Sequence, residues 1–207
     1  FTGVFFYVIL KFICPFYMAI RKNELYFFPT LVSVYDLSEL NLNIISEVVE
    51  NNPKDNYHLV EKGKTDFVLD KNILDHPNLI ELKQNINSCV DDYRQRLGLS
   101  KVKIASSWSS ITDVGGRLEL HRHAGSSISG VFYPEIKQPI SPLLFKDPTH
   151  SYKMCELYDK SIEPTINSFS YMKIDPSLGM LVLFPGWLEH KTDREIGRRK
   201  VISFNVV

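Results

Sequence analysis

The sequence predicts a mainly β fold with helices in its N-terminal part, an α+β protein. Two stretches with helical spacing of apolar residues lie before residue 100, and short alternating or apolar runs follow it. Gly, Pro, Ser and Asp separate these later runs, and no helical pattern interrupts them. A sandwich or barrel is therefore favoured over a parallel α/β sheet. With 207 residues, the chain is long enough for one domain with a buried core.

The first elements are predicted from residue 25 onwards. Aromatic and β-branched residues from 25 to 35 indicate a strand that Pro29 interrupts. Asp36 or Ser38 can cap a helix that runs to about Asn51. The polar stretch that follows, to about residue 75, predicts no regular element.

The clearest helix is predicted between Pro77 and Leu97. Its apolar residues recur at spacings of three and four, Pro77 suits a first helical turn, and Gly98 suits the end. The predicted strands after residue 100 cover 102–108, 118–123, 128–133, 143–145, 169–174, 180–184 and 201–207.

Residues 1–17 form an apolar segment that does not suit a membrane span. Lys11 lies within it, where a charge is unfavourable by about 2.5–3.5 kcal/mol on insertion scales, and Pro15 adds a break. We expect this leader to precede a native start at Met18, with a membrane anchor as the alternative. The predicted division is a leader at 1–17, an N-terminal strand and helices packing on the core at 18–100, and a β core at 101–207.

Composition narrows the classes of partner. Lys plus Arg and Asp plus Glu both number 24, so there is no global field for nucleic acid or an anionic membrane. We expect no nucleic-acid partner and no stable membrane association, and oligomerisation is left open. Three cysteines without a CxxC pair favour a reducing, cytoplasmic location.

Three of the six histidines occur in two short segments, His121-Arg-His123 and the end of Phe184-Pro-Gly-Trp-Leu-Glu-His190. Residues i and i+2 of a strand point to the same face, so one metal ion can contact His121 and His123. A third imidazole after a later strand can complete a mononuclear iron site with open positions. The alternative is that these are ordinary histidines on a polar surface.

Strand alternation gives an expected orientation for these residues. Leu118 and Leu120 would pack outward against the helices while the histidines face inward, and the turn after Phe184 would place Trp187 and His190 at the mouth of a barrel.

In the last strand Arg199, Val201, Ser203 and Asn205 share one face. An inward Arg199 beside the metal would suit the carboxylate of an α-keto acid. The alternative places Arg199 in an exposed basic cluster with Arg198 and Lys200.

Five motifs follow one another between about Trp108 and Asn205. They are His121-x-His123, Ser129-Gly-Val-Phe-Tyr133, Phe145-x-Asp147-Pro148, Gly179-x-Leu-x-Leu-Phe-Pro-x-Trp187-Leu-x-His190 and Ser203-Phe-Asn205. In this order they resemble the motifs of the 2-oxoglutarate- and iron(II)-dependent oxygenases of bacteria and their phages.

The resemblance implies a double-stranded β-helix (jelly-roll) core that holds Fe(II), with 2-oxoglutarate as co-substrate and O2 as oxidant. His121 and His190 resemble the two histidine ligands, and Arg199 resembles the residue that pairs with the distal carboxylate of 2-oxoglutarate, with Arg198 as the alternative. Tyr133 would be a second contact to the co-substrate, with Ser203 and Asn205 lining the same pocket.

The third metal ligand departs from the pattern of this superfamily, because the position two residues after the first histidine is usually Asp or Glu. Here it is His123, which we expect to be the ligand, with Glu119 and Asp147 as the alternatives.

The implied activity is that of a dioxygenase that hydroxylates an unidentified substrate, a small molecule or a protein side chain, while 2-oxoglutarate is decarboxylated to succinate. The alternatives are a cupin-like three-histidine metal protein, acting as an isomerase or as an oxygenase that needs no keto acid, and a non-catalytic jelly-roll binding module.

Overall fold

The computed structural model describes residues 28–67, 72–149, 152, 161–163, 165 and 168–207. The predicted leader and the beginning of the first predicted strand lie outside these residues. The described strands are β1 (Ser33–Asp36), β2 (Asp55–Tyr57), β3 (Val60–Thr65), β4 (Ile104–Leu118), β5 (Ile128–Lys137), β6 (Leu143–Lys146), β7 (Tyr171–Ile174), β8 (Met180–Pro185), β9 (His190–Thr192) and β10 (Arg198–Val206). The helices are α1 (Leu42–Asn51) and α2 (Ile80–Arg96), and 3₁₀ turns at Ile73–Asp75 and Pro77–Leu79 precede α2.

The strands form two antiparallel sheets. The large sheet has the order β1-β8-β5-β10-β4-β3-β2, and the small sheet has the order β7-β6-β9. β10 lies at the centre of the large sheet, where it pairs with β4 on one side and β5 on the other. This mostly β architecture with two helices confirms the predicted fold class.

One face of the large sheet packs against the helices. The apolar stripe of α2, including Leu82, Ile86 and Val90, is buried in the same cluster as Ile202 and Phe204 of β10. Burial of each such side chain contributes about 1.5–3 kcal/mol, so this cluster is a main source of stability. A second apolar cluster lies on the other face of the large sheet, where Tyr133 and Val201 pack with Phe145 of the small sheet.

Helix α2 matches its prediction closely, whereas α1 begins later than expected. The side chain of Asn41 accepts a hydrogen bond from the backbone N–H of Ile44 and caps α1, so the predicted caps Asp36 and Ser38 are wrong. Asp36 ends β1 instead, and its carboxylate accepts a hydrogen bond from the N–H of Ser38.

In the described part of the chain, no helix is both long and apolar enough to cross a membrane.

Two stretches were predicted wrongly. The polar stretch after α1 contains β2 and β3, which extend one edge of the large sheet beyond β4. The predicted strand at 118–123 is also wrong, because β4 ends at Leu118 and His121 takes part only in an isolated bridge with His190.

Candidate metal centre

The three predicted ligand histidines lie together. One ring nitrogen from each of His121, His123 and His190 lies within 4.8 Å of the others. The Nε2 atoms of His123 and His190 are 3.4 Å apart. Metal–nitrogen bonds of about 2.0–2.1 Å bring neighbouring ligand nitrogens to about 3–4 Å, so this spacing fits a single metal ion.

The backbone arranges two of these rings directly. His121 and His190 form a bridge in which each N–H donates to the other's carbonyl, at 3.0 and 2.9 Å. The Nδ1 of His121 lies 2.8 Å from the carbonyl of Glu119, and the Nδ1 of His190 lies 3.0 Å from that of Leu188. A carbonyl can only accept, so Nδ1–H is the donor in both rings and each Nε2 keeps a lone pair for a metal.

Burial keeps all three imidazoles neutral. Burial lowers the pKa of His121. Burial, with a smaller repulsion between the protonated forms of His123 and His121, lowers the pKa of His123 to about 4. Burial is also the main cause that holds the pKa of His190 well below its usual value. A metal ligand must present a deprotonated nitrogen, so near neutral pH this set is ready to bind a divalent transition metal.

The orientation of the residues around the histidines differs from the one that side-chain alternation along a strand predicted. Leu118 does not pack outward, because it lines the same cavity as the histidines. His190 is 4% exposed and opens β9, so it is buried rather than placed at a mouth, while Trp187 is half exposed outside the cavity lining. The histidines meet through the bridge between two chain segments and not through the alternation of one strand.

The histidines line a cavity of about 250 Å³. β10 contributes Arg199, Val201, Ser203 and Asn205 to its wall, the alternate residues that sequence analysis placed on one face. Tyr133 of β5 also lines the cavity, and burial raises the pKa of its hydroxyl to about 12, so it stays protonated.

Arg199 and Arg198 occupy opposite environments. Arg199 is 4% exposed, lies 2.9 Å from Glu195 in an ion pair, and donates from Nη2 to the hydroxyl of Thr192 at 3.2 Å. Arg198 lies outside the cavity lining and pairs with Glu50, Asp113 and Glu135. Of the two arginines, Arg199 is the one at the cavity.

The alternative third ligands lie elsewhere. Glu119 pairs with Arg117, Asp147 accepts hydrogen bonds from Thr149, and neither carboxylate lines the cavity. Ser129, from the motif before Tyr133, donates to the side chain of Asn205 at 2.9 Å and thereby holds this cavity residue in place.

Sequence analysis missed an aromatic wall and a buried carboxylate. Tyr57 and Phe67 come from the stretch with no predicted strand, and with Trp108 they form a chain of ring contacts at 5.2 and 4.9 Å between centroids. Trp108 stacks on His123 at 5.6 Å. The carboxylate is Glu195, which lies between β9 and β10, and no local pattern in the sequence marks it as a partner of Arg199.

A family model matches the part of the chain that carries this site. Residues 106–205 match a family model described as "Putative 2OG-Fe(II) oxygenase", and this range contains all three histidines and Arg199. Comparison with curated proteins gave no match.

Solved structures share the fold at low sequence identity. HygX from Streptomyces hygroscopicus, solved with nickel, 2-oxoglutarate and hygromycin B, is 11% identical with a TM-score of 0.59, over 86% of this chain and 82% of that chain. A prolyl-4-hydroxylase from Pseudomonas putida is 12% identical with a TM-score of 0.55, over 85% of this chain and 92% of that chain. The viral collagen prolyl hydroxylase of Paramecium Bursaria Chlorella virus-1 is 9% identical with a TM-score of 0.55, over 84% of this chain and 94% of that chain.

The likeness to these oxygenases confirms the predicted jelly-roll fold. Residues 106–205, which carry the three histidines and Arg199, are similar to the family of 2-oxoglutarate- and Fe(II)-dependent oxygenases.

Proposed function

We propose that this protein is a 2-oxoglutarate- and Fe(II)-dependent dioxygenase that hydroxylates an aliphatic group of its substrate. His121, His123 and His190 would hold Fe(II), and Arg199 would bind the distal carboxylate of 2-oxoglutarate. The observation that carries this proposal is the convergence of three neutral imidazoles and one buried guanidinium on a single cavity. When bound, the iron with 2-oxoglutarate and O2 supplies the oxidising power for hydroxylation of a C–H bond, and 2-oxoglutarate is converted to succinate.

The residues of the chain supply binding, orientation and exclusion of water. The Nδ1 contacts fix two of the imidazoles, so the ligand nitrogens need little rearrangement to bind a metal. Tyr133 keeps its proton and can donate a hydrogen bond to a carboxylate, while Ser203 and Asn205 offer further polar contacts on the same wall.

The aromatic residues that line the cavity suggest which part of a substrate it accepts. Tyr57, Phe67 and Trp108 present an uncharged aromatic surface that leads to His123. An aliphatic or ring-shaped group can pack on such a surface and bring a C–H bond to the metal. Among the solved structures of this fold, HygX contains hygromycin B, and a prolyl hydroxylase from Trichoplax adhaerens is in complex with a peptide fragment, so both small molecules and peptides are candidate substrates.

Anaerobic Fe(II) titration and succinate formation test the proposal. We expect one Fe(II) per chain and succinate formation that requires both 2-oxoglutarate and O2. His121→Ala and His190→Ala should each abolish tight Fe(II) binding, because each removes a ligand. His76→Ala is the matched control, since His76 is exposed and caps a 3₁₀ turn away from the cavity.

Unchanged iron stoichiometry in both ligand variants would overturn the ligand assignment. Iron-dependent oxygen consumption without a requirement for 2-oxoglutarate would instead favour a cupin-like oxygenase.

A further inference from the structure

A buried carboxylate lies behind the arginine of the cavity. The Glu195 side chain is 0% exposed, and its Oε1 lies 2.9 Å from Nη1 of Arg199, without the alignment of a hydrogen bond. Its Oε2 accepts the backbone N–H of Ser141 at 2.9 Å. The backbone of Glu195 is also fixed, because its N–H donates to Gly116 and its carbonyl accepts from Gly115, both at 2.7 Å. Glu195 is therefore held firmly beside Arg199.

Arg199 keeps donor capacity for a ligand despite this pair. Its Nη2 bonds only to the hydroxyl of Thr192, and its buried Nε has no hydrogen-bond partner in the described part of the molecule. Arg199 and Thr192 line the cavity, whereas Glu195 does not. Glu195 therefore does not contact a ligand in the cavity, and it can affect the ligand only by offsetting the positive charge of Arg199.

The charge of the loaded site depends on this carboxylate. Three neutral imidazoles contribute no charge, so a divalent metal and Arg199 alone would leave three positive charges in a buried cavity. Glu195 lowers this to two, which matches the two negative charges of 2-oxoglutarate. Uncompensated charge in a buried site is costly, so the charge of Glu195 affects how strongly the metal-loaded cavity binds a dicarboxylate.

We propose that Glu195 offsets the charge of Arg199 and thereby limits the affinity of the cavity for dicarboxylates, so that 2-oxoglutarate and succinate can exchange. This inference rests on the proposed function. Without Glu195, Arg199 would be a buried, unpaired cation, and its interaction with a ligand carboxylate would be more favourable. Glu195 makes this interaction less favourable, because its own negative charge repels the ligand carboxylate on the other side of the guanidinium.

Calorimetric titration of Glu195→Gln tests this inference. 2-Oxoglutarate, succinate and pyruvate are titrated into the anaerobic Fe(II)-loaded protein. We expect 2-oxoglutarate and succinate to bind at least about fivefold more tightly to the variant than to the wild type, since the opposing charge is gone. Pyruvate lacks the distal carboxylate, so its affinity should change by less than about twofold. Glu195→Asp keeps the charge and should retain wild-type affinities.

The matched control is Glu135→Gln, which removes a carboxylate paired with Arg198 and Lys200, away from the cavity. It should leave all three affinities unchanged. Thermal melting checks that each variant folds. If the amide of Glu195→Gln is not tolerated opposite the N–H of Ser141, Glu195→Ala removes the same charge without placing an amide there.

The outcomes separate this inference from the function on which it rests. Weaker or unchanged binding of 2-oxoglutarate in folded Glu195 variants would overturn it, because a purely structural role loosens Arg199. An equal change for pyruvate would overturn it too, since the effect would then not pass through Arg199. Failure of the wild-type Fe(II) protein to bind 2-oxoglutarate at all would instead refute the proposed function.

Discussion

Replacing Arg199 with Met should destabilise the protein in a strongly pH-dependent way. The change leaves Glu195 buried without its cationic partner. Burial already raises the pKa of Glu195 above its ordinary value, with Arg199 as the main opposing influence. Without Arg199 this pKa must rise further, so folded Glu195 takes up a proton more readily than unfolded Glu195 does.

The size of the penalty follows from this protonation. Protonation limits the penalty to about 1.36 kcal/mol for each pH unit above the ordinary value of 4.5. The loss of unfolding free energy is therefore at most about 3.4 kcal/mol at pH 7 and about 0.7 kcal/mol at pH 5. For a chain of this size, each kcal/mol shifts the Tm by about 2–4 °C. The Tm should thus fall by up to about 7–14 °C at pH 7 and by no more than about 3 °C at pH 5.

Thermal melting by circular dichroism at both pH values measures this difference. Arg198→Met is the control, because Arg198 is partly exposed and its surface ion pairs contribute about 1 kcal/mol or less. A loss for Arg199→Met that stays constant between pH 5 and pH 7 would refute the reasoning. An Arg198→Met variant that is the less stable of the two would refute it equally.

Three further predictions concern the cavity and its support. His123→Ala should weaken Fe(II) binding at least tenfold while His123→Asp retains it, as measured by anaerobic titration, and full binding by the Ala variant would exclude His123 as a ligand. Arg199→Lys keeps a charge but loses the planar fork, so the 2-oxoglutarate concentration for half-maximal succinate formation should rise more than the Fe(II) requirement; an equal rise in both would contradict this. Gly130→Ala would place a Cβ 2.2 Å from Cζ of Phe204, so it should cost about 1–3 kcal/mol of unfolding free energy, and an unchanged Tm would show that the ring moves freely.

The last strand was predictable in detail because its side chains alternate strictly. Arg199 and Val201 line the cavity, and Ile202 and Phe204 pack under the helices, as the period of two requires. Helix α2 was predictable for the same kind of reason, since its buried residues keep a helical spacing along 17 residues.

The failures have physical causes that a local pattern does not contain. β3 carries Glu61, Lys62 and Lys64, so it lacks the alternation of apolar residues from which a strand is predicted. It forms because its backbone pairs with β4 at the edge of the sheet. His121 and His123 lie beyond the end of β4, and their convergence with His190 depends on a pairing between residues 69 positions apart in the chain. The histidines were identified correctly as neighbours, but the parity argument that placed them on one strand face was wrong.

The bridge between His121 and His190 has a consequence for how the site forms. Two of the three histidines are joined through their own main chains, and β9 is held further by its pairing with β6. Metal binding therefore carries no additional entropic cost for bringing these two segments together. Their amide protons should be protected from solvent exchange in metal-free protein, and adding the ion should slow that exchange only slightly.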